Sequence, residues 1–171
     1  MKTGAKEIAL CGVLAALGVS VMALGGLFPM AAYCCPVLVM LMLVPVLGAC
    51  GRRMAWAWYF AVAVLSCLLC PNVEASALFV CLGYYPIVQR DLNRIRLGLL
   101  RVLAKTVLFN GAIAIMYLVL VLVLGLGEIA EEMGQAGLIL TLATVAIGNV
   151  TFWLTDLLLS RLGRLFHRKG M

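Results

Sequence analysis

The sequence predicts an all-α integral membrane protein of six transmembrane helices with both termini on the cytoplasmic side. Composition is the first reason: of 171 residues, 65% are hydrophobic and 12% charged, and mean hydropathy is +1.16, whereas soluble domains are about a quarter charged. The second is where the charge lies. All 13 Lys and Arg residues fall in four patches: Lys2 and Lys6; Arg52 and Arg53; Arg90, Arg94, Arg96, Arg101 and Lys105; and Arg161, Arg164, Arg168 and Lys169. These recur after every second long apolar stretch, and the breaks between them, 25–36, 70–76 and 125–135, contain no basic residue. Short loops rich in Lys and Arg stay on the cytoplasmic side because translocating their charge is unfavourable, so the alternation counts six crossings. Six spans of about 20 residues use nearly all of a single domain, 1–171, and leave no room for a soluble catalytic or nucleotide-binding domain. Topology and anionic lipid headgroups account for the net charge of +6. No aromatic platform or basic-patch fold accompanies that charge, so nucleic acid is not an expected partner.

Helix 1 covers 7–28. Its apolar run from Ile8 to Phe28 exceeds the signal-peptide core of about 7–15 residues, so it reads as a span. Ala5, Ala9, Gly12, Ala16 and Ser20 recur at helical spacing, and such small-residue stripes let another helix approach closely in lipid. The stripe serves either packing within the chain or docking of a partner subunit. Helix 2, 33–49, contains Pro36 and Pro45, the second placed to kink its inner half. Helix 3, 54–70, opens with Trp56, Trp58 and Tyr59, which read as an anchor belt at headgroup level. Helix 4, 74–88, ends in Gly83-Tyr84-Tyr85-Pro86. Both middle spans are short, so the 70–76 turn is expected below the outer surface, within a vestibule.

Segment 90–105 differs from the other breaks. At 100° per residue Arg90, Arg94, Arg101 and Lys105 share one arc, with Leu92, Ile95, Leu99, Val102 and Leu103 opposite, a pattern that predicts an amphipathic interfacial helix between helices 4 and 5. Its expected role is lipid anchoring. Helix 5 covers 106–124 and helix 6 covers 137–159, with Glu128, Glu131 and Glu132 in the loop between them.

Enzymatic chemistry is not expected. The only histidine, His167, lies in the basic tail, and no nucleophile with an oriented base or metal with its ligands can be assembled. Most of the seven cysteines sit in apolar runs as small hydrophobes. Cys34, Cys35 and Cys70 fall near the outer face, which leaves a disulfide among them open; Cys67-x-x-Cys70 lacks the second ligand pair a metal needs. No cofactor is implied.

What remains are polar side chains at membrane depth, each satisfied by a neighbouring helix or part of a site. Asn110 and Tyr117 share a face of helix 5, as do Asn149, Trp153 and Asp156 on helix 6, whose outer half holds Thr141 and Thr144. Threonine hydroxyls can bond their own helix; the asparagine amides either touch a ligand or glue helices together. Asp156 is expected to pair with Arg161 or an arginine of segment 90–105. Glu74 stands alone beside Asn72 and Ser76, and with the three later glutamates it makes the outer face acidic, attractive to cationic or zwitterionic solutes.

Six short spans, inside termini, a length near 170 residues and an Ala-rich first helix resemble the substrate-binding S components of energy-coupling factor (ECF) transporters. In that family a first-helix Ala-x-x-x-Ala pattern docks onto a transmembrane coupling protein driven by two cytoplasmic ATPases, and Ala5-x-x-x-Ala9 and Gly12-x-x-x-Ala16 are the matching positions. The resemblance implies uptake of a vitamin or related micronutrient from an outward-facing pocket, where Glu74, Asn110, Tyr117, Thr144 and Asn149 would lie. No vitamin-specific signature and no His-rich N-terminus accompanies it. MreD-type rod-shape proteins share the size and layout, which makes a non-transport scaffold the alternative.

Overall fold

An apolar chain surrounded by hydrocarbon must satisfy its backbone polar groups internally, which favours helices. In a computed structural model of the chain the described residues are 4–25, 31–94, 97–122 and 137–169, excluding the side chains of 31, 32, 137–141 and 164–169. These residues form seven helices and no strand: α1 (Ala5–Gly25), α2 (Ala31–Ala49), α3 (Gly51–Leu69), α4 (Val73–Leu82), α5 (Tyr85–Leu92), α6 (Gly98–Leu122) and α7 (Gly137–Lys169). Among the described residues three segments are long and apolar enough to cross a membrane: α1, α6 and Leu142–Gly163 within α7. Exposed residues are apolar as well: Val13, Phe60, Leu68, Leu118, Ile147 and Leu154 are each at least 58% exposed. An apolar exterior of this extent suits a membrane-associated protein.

Helix α2 occupies the middle. It packs against α1, α3, α4, α5 and α7. Val39, Leu43 and Val46 enter a core with Met22, Trp58, Val62 and Phe79, while Met40 and Val44 enter a second with Tyr85, Phe109 and Phe152. Both prolines lie within a helix assigned continuously from Ala31 to Ala49.

The contacts gather the helix ends into two sets. At one end the Cys50 thiol donates to the Glu7 carbonyl (3.4 Å), Arg52 pairs with Asp91 (2.7 Å), and Gln89 donates to Ser160 (3.2 Å). Here Lys6, Arg52, Arg53, Arg90, Arg94 and Arg161 lie close in sequence to those contacts, so this is the basic end. The chain turns there within a residue, because Gly51 takes φ +81°, a left-handed conformation open to glycine. The opposite end joins the Cys70 thiol to the Met22 carbonyl (3.1 Å). There Asn72 accepts from the Ala75 amide (3.0 Å) and caps α4.

Three expectations are corrected. Segment 90–105 is not one interfacial helix: α5 ends at Leu92, α6 begins at Gly98, and Lys105, expected on the charged outer arc, is 4% exposed. The expected span 74–88 is two helices, because Gly83 and Tyr84 form a turn and Pro86, lacking an N–H, occupies the first turn of α5. Nor is the aromatic cluster a headgroup belt. Trp58 and Tyr59 are 4% and 6% exposed, Trp58 donating to the Cys11 carbonyl (3.1 Å) and Tyr59 to the Val80 carbonyl. Only Trp56 is half-buried there, stacked on Phe60 and Tyr84.

The cysteines are all free thiols, so no disulfide joins Cys34, Cys35 and Cys70. Helix α7 continues through the basic tail to Lys169. The loop carrying Glu128, Glu131 and Glu132 lies outside the described residues.

Candidate functional site

Helices α6 and α7 run antiparallel in a register that sets Lys105 opposite Asp156, Phe109 opposite Phe152 and Asn110 opposite Asn149. The phenylalanine rings stack at 4.5 Å. Polar groups flank this apolar rung on both sides and fall in three tiers along α6. Lys105 and Tyr117, in the first and last, are about 18 Å apart at 1.5 Å per residue.

The first tier, towards the basic end, is a buried ion pair. The Lys105 ammonium reaches both Asp156 oxygens, at 2.9 and 2.8 Å, with side-chain exposures of 5% and 10%. Tyr85 donates its hydroxyl to Asp156 Oδ1. Gln89 donates to the same oxygen (2.6 Å) and to the Asp156 carbonyl (3.0 Å). Ionised groups in an apolar interior need both a counter-charge and hydrogen bonds, and Asp156 has both. A cavity of about 460 Å3 lies beside the pair, walled by Asn93 of the α5 C-cap, Arg101, Val102 and Lys105 of α6, and Trp153, Asp156 and Ser160 of α7.

The second tier is reciprocal. Asn110 Nδ2 donates to Asn149 Oδ1 (3.0 Å) and Asn149 Nδ2 to Asn110 Oδ1 (3.2 Å). Each amide also donates to the carbonyl four residues back, Thr106 and Val145, at 2.9 Å. All amide N–H donors have partners by this arrangement, which is what helix glue requires.

The third tier, towards the opposite end, centres on Glu74. Its Oε1 accepts the hydroxyls of Tyr33 and Tyr117, both at 3.1 Å, bringing α2, α4 and α6 together. Among the described residues its other oxygen, Oε2, accepts no hydrogen bond. Position in the first turn of α4 adds the favourable end of the helix dipole.

The expected site residues therefore divide. Glu74 meets Tyr117, Asn110 meets Asn149, and Thr144 is exposed on α7 near the level of Tyr117; Thr141's side chain lies outside the described residues. Asp156 does pair with segment 90–105, but with its lysine; among the described residues it pairs neither with an arginine there nor with Arg161. Tyr33, Tyr85, Gln89 and Lys105 were not among the expected site residues. One signal was available: Lys105 is the innermost cation of its patch, already followed by apolar sequence. On α1 the small-residue stripe lies outside the bundle, with Ala5, Ala9, Gly12 and Ala16 all exposed and nothing within 4 Å of a Cβ added at Gly12. Internal packing instead uses Cys11, Gly18 and Met22.

Comparison with family models, with curated protein sequences and with solved structures yields no match. Among the described residues no three His, Cys, Asp or Glu side chains cluster as metal ligands.

Proposed function

We propose that the chain is a non-catalytic membrane subunit that captures a small cationic or zwitterionic solute, a vitamin or related micronutrient, at the Glu74 end. The observation carrying this reading is the half-occupied carboxylate: Glu74 Oε1 is held by two tyrosine hydroxyls while Oε2 is left to accept from a ligand. A carboxylate oriented in this way binds an ammonium or N–H donor through a charge-assisted hydrogen bond. The chain crosses a bacterial plasma membrane six times, with α1, α2, α3, α6 and α7 each making one span and α4 with α5 making another. The basic end faces the cytoplasm with both termini, following the bias of Lys and Arg. Transport is energised by a separate membrane coupling protein and two ATPases, as in ECF S components, and the outward small-residue stripe of α1 supports docking to that coupling protein.

Native mass spectrometry of gently purified protein tests the reading. A stoichiometric small-molecule adduct is expected on the native chain and is expected to be lost from Glu74→Ala, with Asn149→Ala keeping it. An adduct that survives Glu74→Ala would place the site elsewhere. No adduct at all, with only proteins co-purifying, would favour the MreD-like scaffold.

A further inference from the structure

The cavity at the basic end takes no part in the proposed capture of solute, and its lining has a definite chemical bias. Asp156 contributes little free negative charge: Lys105 spans both its oxygens, and Tyr85 and Gln89 bond to it as well. The charge left on the wall is the guanidinium of Arg101, which has no acidic partner among the described residues. Lys105 directs two of its three N–H groups at Asp156 and keeps one. Asn93 adds an amide, while Ser160 already accepts from Gln89.

The rest of the wall is apolar. Val102 and Trp153 line the cavity. A volume of about 460 Å3 lies within the 300–1,000 Å3 usual for small-ligand sites. A positive, hydrogen-bonding pocket with an apolar wall of Val102 and Trp153 matches an anion that carries an apolar tail. We infer that this cavity binds a phosphate-bearing group, with Arg101 as its charge anchor, Asn93 as a hydrogen-bond partner, and Val102 and Trp153 lying along the attached group. The phosphate comes either from a membrane phospholipid or from a soluble phosphate ester, and the apolar wall of Val102 and Trp153 favours the lipid.

Calorimetric titration of the full chain in an uncharged detergent separates these sources. The probes are dihexanoyl phosphatidic acid and glycerol 3-phosphate, which share a phosphate monoester and differ in the acyl chains. Saturable binding of the lipid is expected, weakened about tenfold or more in Arg101→Gln, the loss of one charged hydrogen-bonding partner. Arg101→Lys is expected to retain binding within a few-fold, which separates loss of charge from loss of fold; Arg53→Gln, an exposed cation away from the cavity, is expected to bind as the native chain does. Equal binding of glycerol 3-phosphate would support the same anion site and identify a soluble ester as its source. No saturable binding of either probe, unchanged binding in Arg101→Gln, or equal weakening in Arg53→Gln would overturn the inference.

Discussion

Lys105→Ala and Asp156→Asn, made singly, are each expected to lower the unfolding free energy by about 3–5 kcal/mol, since either leaves an unpaired charge or its vacated partners inside the bundle. The pair is 5% and 10% exposed, and an isolated charge in a membrane interior is costlier still than in a soluble core. Replacing both groups by apolar residues of similar size, Lys105→Met with Asp156→Leu, removes both charges at once. That double variant is expected to be less destabilised than either single one. A residual cost of about 1–3 kcal/mol is expected because Tyr85 and Gln89 lose an acceptor. Unfolding midpoints of the purified variants measure all three, and additive effects of the two single changes would contradict a coupled buried pair.

Ala9→Leu combined with Ala16→Leu is expected to leave the fold intact and to abolish assembly with a coupling protein. Both positions are exposed on α1, so the added side chains meet lipid, and the stability change is expected within about 0.5 kcal/mol, as for surface changes generally. Docking in lipid depends on close approach at small residues, and leucine at two of the stripe positions prevents it. Co-purification of a partner is expected to fall at least about tenfold, the consequence of 1.4 kcal/mol or more of lost contact. Gly18→Leu is the contrasting change. A Cβ at Gly18 already comes within 3.1 Å of Val39 Cγ1 and 3.7 Å of the Trp58 ring, so leucine there should impair folding itself. If Ala9→Leu with Ala16→Leu instead lowered stability as much as Gly18→Leu, the stripe would be an internal packing surface.

Hydropathy made the helices legible from sequence because the apolar stretches and their breaks coincide with the observed elements to within a few residues over α1, α2 and α3. It failed where one residue had two consistent readings. Lys105 fits the arginine arc of segment 90–105 by angle, yet its side chain turns into the bundle because Asp156 waits 51 residues later in the chain. Helical periodicity describes a face of one helix; it carries no information about which distant helix covers that face. Trp58 likewise lies at the charge boundary where an anchor is expected, but Gly18 opposite removes the side chain that would have kept an indole out of the core. The shared face of Asn110 and Tyr117 was readable from spacing, whereas the joining of Glu74 to Tyr33 and Tyr117 required three separate helices to meet. The small-residue stripe was legible as a stripe, and its outward orientation was not, since both faces of α1 are apolar.

In the proposed orientation the Glu74 end opens outside the cell and the Arg101 cavity opens inside. Side-specific thiol labelling of intact cells tests it most directly, with Asn72→Cys and Arg94→Cys introduced separately into a chain whose native cysteines are replaced. A membrane-impermeant maleimide is expected to label position 72 in intact cells and position 94 only after the membrane is opened. Labelling of position 94 in intact cells, with position 72 protected until the membrane is opened, would contradict the proposed orientation and with it capture of solute from outside at Glu74.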